Sequence, residues 1–156
     1  MEINSFNIRV YGLLIDEGQV LVTDEFRLGT FMTKFPGGGL KFGEGTIECL
    51  KREFREELSS EIETISHYYT TDFFQPTTLL PTTMQLINIY YHVSLLKPYH
   101  FQTTEKKFDF PEKIDGAQSF RWLKINELSE DNFTFPIDKK IAMDLRKDFI
   151  QAVLSV

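Results

Sequence analysis

The chain has 156 residues, with 17 Lys and Arg against 23 Asp and Glu and a formal net charge of −6. That length fits one domain that buries a core without covalent staples, and the acidic balance argues against a basic grip on nucleic acid. The single Cys49 excludes an internal disulfide and any multi-cysteine metal site. No apolar run approaches the ~18–20 residues of a membrane span, and Met1-Glu2-Ile3-Asn4 lacks the basic and apolar regions of a signal peptide. A cytoplasmic protein with no nucleic-acid or membrane partner is the expectation.

In chain order, Asn7–Ile15 is β-branched and apolar, and Gln19–Val22 resumes the pattern after Asp16-Glu17-Gly18, which predicts two strands and a tight turn. A short strand near Thr30–Phe35 runs into Pro36-Gly37-Gly38-Gly39, a run expected to stop regular structure. From Thr46 to Leu58 the period changes. Ile47, Leu50, Phe54 and Leu58 fall on one helical face, with Thr46 as the expected N-cap and Glu48 in the first turn. Ile62–Phe74 and Thr83–Leu95 read as strands around a proline-bearing loop, Gln75–Pro81. Lys97–Gly116 reads as a long loop, Gln118–Leu123 as a strand and Asn126–Leu128 as a turn. A closing helix is expected from Pro136, with Ile137, Ile141, Leu145, Phe149 and Val153 as its apolar stripe. No repeat or linker divides the chain, so the pattern is a single α+β domain over residues 1–156.

On a helical wheel, Glu53, Glu56 and Glu57 occupy an arc of about 100° beside the apolar stripe. Like charges at i, i+3 and i+4 repel by a few tenths of a kcal/mol each. A divalent cation reverses that sign, and oxygen-rich clusters suit Mg²⁺ or Mn²⁺. The glycine run ahead of the helix lets bare backbone approach a ligand. A solvated acidic face with capping glycines explains the carboxylates equally well. P-loop, GxGxxG, HExxH and GxSxG patterns are all absent.

Gly38, five residues, Glu44, seven residues, then Arg52-Glu53-Phe54-Arg55-Glu56-Glu57 resembles the Nudix box, GX5EX7REUXEEXGU, over residues 38–60. The resemblance implies an α/β/α sandwich with a mixed β-sheet between helices. It also implies a Mg²⁺-dependent hydrolase, with Mn²⁺ as substitute, that cleaves the diphosphate linkage of a nucleoside diphosphate joined to another moiety. By resemblance, Glu53, Glu56 and Glu57 hold metal with the Gly37 carbonyl, Glu53 is the box residue named as base, and Glu44 and Arg52 form a structural ion pair. Ser59 and Ser60 depart from the glycine and aliphatic positions of the box. A left-handed Ser59 costs ~1–2 kcal/mol relative to glycine, and this departure keeps a non-catalytic nucleotide-binding module as the alternative.

Further features are weighed. Pro76, sixteen residues beyond Ser60, resembles the mark of ADP-ribose pyrophosphatases and is a candidate substrate-binding residue; ADP-ribose and a nucleotide sugar are the candidate substrates. Arg27 is a candidate for substrate phosphate. Glu112, chosen over Glu105 and Asp115 in the long loop, is a candidate base or ligand, as family members often place an acidic residue there. Cys49 reads as a space-filling residue and His67, His92 and His100 as structural ones. The 15 Phe, six Tyr and one Trp serve either as core or as the lining of a pocket for a flat ligand. A homodimer is left open.

Overall fold

Alternating β-branched and apolar residues form strand β1 (Phe6–Asp16), which turns at Glu17-Gly18, both with positive φ, into β2 (Gln19–Arg27). Positive φ at both turn residues matches the twist of a two-residue hairpin. In this computed structural model, residues 2–80 and 83–155 are described, and the Pro81 end of the expected proline loop lies outside them. The remaining elements are β3 (Thr30–Lys34), β4 (Gly37–Gly39), α1 (Thr46–Leu58), β5 (Ile62–Thr70), β6 (Gln85–Leu95), β7 (Ala117–Lys124) and α2 (Pro136–Leu154). A short 3-10 turn at Ile125–Glu127 follows β7. Among the described residues no helix is long and apolar enough to cross a membrane.

The chain divides into two compact units: Met1–Leu13 with Pro36–Phe101, and Leu14–Phe35 with Gln102–Val156. In the first unit, β4 pairs antiparallel with β1, Arg9 opposite Gly39 and Tyr11 opposite Gly37. Bonds from Gly12 N to Pro36 O and from Leu40 N to Ile8 O extend this ladder. The glycine run therefore does not end regular structure, as its composition suggests; it is a strand that only glycine can supply. Gly37 has φ +147°, and a Cβ there would lie 2.1 Å from the Val10 carbonyl oxygen. Strands β5 and β6 form an antiparallel pair from Ile62 opposite Leu95 to Thr70 opposite Ile89. β5 ends at Thr70, short of the expected Phe74.

Helix α1 buries Cys49, Leu50, Phe54 and Leu58. Full burial of each large apolar side chain contributes about 1.5–3 kcal/mol. Ile47, expected on that stripe, is 44% exposed, and Cys49 takes the buried place in the first turns. The N-cap is Gly45 rather than Thr46, which is already helical.

In the second unit β2 is central, with β3 on one side (Thr23 opposite Lys34) and β7 on the other (Gln19 opposite Lys124 through Phe26 opposite Ala117). Helix α2 begins on Pro136, whose fixed φ and missing N–H suit the first helical position. Ile137, Ile141 and Leu145 are buried, but the expected stripe thins to a half-buried Phe149 and an exposed Val153.

The end of α1 carries strain. Ser59 takes a left-handed conformation (φ 50°, ψ 37°), donating its N–H to Arg55 O at 3.1 Å, while Ser60 N donates to Phe54 O at 3.3 Å. Ser60 is buried, and its hydroxyl donates to Leu58 O at 2.8 Å. Replacing Ser59 by Gly removes the left-handed penalty, so Ser59→Gly is expected to stabilise the chain by about 1 kcal/mol and to raise Tm by about 2–4 °C in a thermal scan. An unchanged or lower Tm would show that the helix end is unstrained.

Candidate functional site

Register and helical period bring the candidate residues of the first unit together. Pairing with β1 directs Gly38 toward α1, where a Cβ would lie 2.5 Å from Glu53 Oε1. Glycine is required there because the Glu53 carboxylate occupies the side-chain space. Past Leu40 the chain turns, and Lys41 N donates to Glu44 Oε1 at 2.9 Å. Glu48 reaches back to accept from Gly45 N at 3.3 Å, which satisfies one open N–H of the helix start.

Arg52 ties these pieces into one unit. Its Nε donates to Glu44 Oε2 at 3.0 Å and its Nη2 to Glu44 Oε1 at 2.7 Å, a two-pronged pairing. Nη2 also donates to Gly39 O at 3.1 Å, while Nη1 reaches Glu53 Oε1 at 2.9 Å and Glu56 Oε2 at 3.3 Å. The Arg52 bonds lower the Glu44 pKa to about 2, and the carboxylates in turn push that of Arg52 upward. Cys49, one turn before Glu53, is buried with Sγ 3.5 Å from Gly39 O. Burial and the neighbouring Glu44 push its thiol up to about 12, so it stays protonated and unreactive.

The donor set suits a hard divalent cation. Glu53, Glu56 and Glu57 project from α1, and Glu57 Oε2 is a buried oxygen with no hydrogen bond of its own, although the side chain is engaged elsewhere. The fit lies in the chemistry and not in a preassembled cage. Among the described residues no three His, Cys, Asp or Glu side chains converge as a complete metal site, and Arg52 sits against two of the carboxylates. Waters or phosphate oxygens must complete the shell, as is usual for Mg²⁺.

The other candidates stand on other elements of the chain. Pro76 belongs to the first unit, bridged to Gln85 beyond β5. Arg27, exposed at the end of β2, and Glu112, exposed on the long loop, belong to the second unit. Asp115 accepts from Leu28 N at 2.9 Å, which gives it a loop-holding role. Sequence reasoning missed the Gly39 carbonyl as a partner of Arg52, and Tyr91, whose hydroxyl lies 2.6 Å from Thr46 Oγ1. The unbroken glycine triplet was the one available signal for the first; nothing local signals the second.

Comparison with known proteins follows from this geometry. A family model described as NUDIX domain matches residues 6–145. Three solved structures share the fold. A MutT structure from work on the Aliivibrio salmonicida and Vibrio cholerae proteins is 17% identical, covers 92% of this chain and 99% of that one, and has a TM-score of 0.63. A NUDIX hydrolase from Nitrosomonas europaea is 19% identical over 94% of this chain and 89% of that one, with a TM-score of 0.61. A MutT NUDIX hydrolase from Burkholderia pseudomallei is 13% identical over 91% of this chain and 98% of that one, with a TM-score of 0.66. The α+β fold of this chain is theirs. No curated protein matches the sequence.

The Glu44–Arg52 pair sets a pH dependence. A carboxylate whose pKa falls to about 2 on folding, from 4.5, stabilises the fold above about pH 4.5 and loses that contribution as pH drops toward 2. Glu44→Gln is therefore expected to lower Tm at pH 7, and its deficit against the parent chain should shrink steadily from pH 4.5 to pH 2. Thermal scans across that range test it; a deficit that does not change with pH would refute the ion pair as its cause.

Proposed function

The chain belongs to the Nudix family, a family of pyrophosphohydrolases, and on that premise we propose a divalent-metal-dependent hydrolase. Its substrate is a nucleoside diphosphate linked to another moiety, with ADP-ribose and nucleotide sugars as the two leading candidates. The observation that carries this reading is the packing of the Glu53 carboxylate into the space that Gly38 leaves open, beside Glu56 and Glu57. A surface helix kept acidic for solubility has no need of a glycine backbone pressed against one carboxylate.

Glu53, Glu56 and Glu57, with the Gly37 carbonyl, are the residues that would hold Mg²⁺ or Mn²⁺. When bound, the cation supplies positive charge against the diphosphate oxygens. Glu44 and Arg52 hold the glycine strand, the loop and the helix in one geometry. Arg52 engages Glu53 through Oε1, so Oε2 is the oxygen assigned to accept a proton from the attacking water. Glu112 is the second carboxylate assigned to proton transfer, Arg27 is assigned to substrate phosphate and Pro76 to the substrate-binding loop; residues 1–156 are taken as one catalytic domain. The non-catalytic alternative drew on Ser59 and Ser60. Both close the helix with satisfied hydrogen bonds, and α1 runs unbroken through Leu58.

Replacing Glu57 by Gln removes one negative charge from the cation-holding set and relieves like-charge repulsion on the helix. Mg²⁺-dependent turnover on a panel of linked nucleoside diphosphates is expected to fall by about two orders of magnitude or more, while Tm stays within a few degrees of the parent or rises. Glu112→Gln in the same assay should lower turnover without moving Tm. Parental turnover in Glu57→Gln would overturn the metal assignment.

A further inference from the structure

Within the first unit, the threonine expected to cap α1 gives its hydroxyl to a strand instead. Gly45 holds the cap position and Thr46 is already helical. The Thr46 hydroxyl lies 2.6 Å from that of Tyr91 on β6, a partly buried hydrogen bond between residues 45 positions apart. A threonine at a helix start ordinarily directs its hydroxyl to the helix's own backbone. Tyr91 is itself braced. The β5–β6 register sets His67 directly opposite it, and the two rings meet edge to face, with centroids 5.7 Å apart at 83°. The His67 ring is held in turn, its Nε2 lying 2.8 Å from Thr70 Oγ1. The proposed mechanism uses none of these residues.

Burial of Leu50, Phe54 and Leu58 fixes which face of α1 meets the sheet. Apolar burial is non-directional, whereas a hydrogen bond weakens steeply with distance and angle. Arg52 ties the middle of the helix to the Gly39 carbonyl on β4, and Thr46 ties its start to β6. At about 100° and 1.5 Å per residue, Glu53 and Glu57 lie within roughly 20° of Thr46 around the helix, about 10 and 16 Å further along it. Glu53 tolerates little sliding. A Cβ on Gly38 would lie 2.5 Å from its Oε1, so the carboxylate rests directly on bare backbone.

We infer that Tyr91 is a positioning residue for the cation-holding face of α1, acting through Thr46. This role rests on the metal reading of Glu53, Glu56 and Glu57 and adds to it a residue outside the box. The hydroxyl bond anchors the first turn, and the rigid helix carries that anchor to Glu53 and Glu57. Mg²⁺ demands near-ideal octahedral geometry, and a misplacement of about 1 Å is enough to degrade such a site. Tyr91 acts through the helix and not by contact with the cation.

Two readouts on the full chain test this. One is calorimetric titration with Mn²⁺ in the absence of nucleotide; the other is the amide resonance of Gly38, which reports the carboxylate packed on it. Tyr91→Phe keeps the ring and loses the hydroxyl, while Thr46→Ala breaks the same bond from the helix side. Each is expected to raise the Mn²⁺ Kd about fivefold, the scale of one hydrogen bond, and to move the Gly38 resonance. Thr46→Ser restores the hydroxyl and should return both readouts to the parental values. The double variant should exceed either single variant by no more than about twofold, because both substitutions remove one shared bond. A lower Tm with parental Kd and an unmoved Gly38 resonance would show a purely structural bond and overturn the inference. If the parent chain binds no Mn²⁺ while both variants move the Gly38 resonance, the metal reading falls and the positioning of α1 stands. Parental Mn²⁺ binding that neither variant disturbs does the reverse.

Discussion

The Arg52 guanidinium is the constraint on which the first unit's site depends. A planar fork of fixed donors reaches Glu44 on the loop, the Gly39 carbonyl on β4, and Glu53 and Glu56 on its own helix. Lysine carries one compact charge and has no fork with which to span those directions. The arrangement also settles an electrostatic problem. Carboxylates one turn apart on a helix repel, and Arg52 offsets that repulsion in the free protein while holding the loop against the helix. The acidic face is thus held in one geometry by the chain's own arginine.

That geometry works only because the backbone under it is bare. β4 is three glycines, and its register against Arg9–Tyr11 gives each a different task. Gly37 passes within reach of the Val10 carbonyl, and Gly38 leaves its side-chain volume to Glu53. Gly39 offers its oxygen to Arg52 and to the Cys49 thiol. Side chains at these positions would collide with the β1 backbone at Gly37 and with the Glu53 carboxylate at Gly38. The unusual composition of this stretch is therefore a requirement of close packing against α1 and not a sign of disorder.

The second unit shows the same economy on β2. Period-two alternation sends Asp24 and Glu25 to opposite faces, and the two faces treat a buried carboxylate in opposite ways. Asp24 is locked by an arginine fork and a threonine, which fixes β7 to β2 and holds the long loop at Phe108. Glu25 lies among donors at longer range. Adjacent residues of a single strand are thereby held in two different ways, separated only by the pleat.

Much of this was legible from residue order alone. The apolar spacing of Leu50, Phe54 and Leu58 determined helix α1 to its last residue, Pro136 determined where α2 begins, and the helical period placed Glu53, Glu56 and Glu57 on one arc. These are local properties, set by neighbours within four positions. Other features answer to long-range packing that no window of sequence contains. The glycine run became a strand because β1 offered it a partner, and Ile47 stayed exposed because Cys49 filled the buried place beside Gly39. Likewise, Lys34 and Gln118 read as unremarkable polar positions until antiparallel register set them beside Glu25 on one face. Residue order determined the helices and most strands and the chemistry they carry; tertiary pairing made the glycine run a strand and decided which groups meet, because a hydrogen bond depends on ångströms across the sheet and not on distance along the chain.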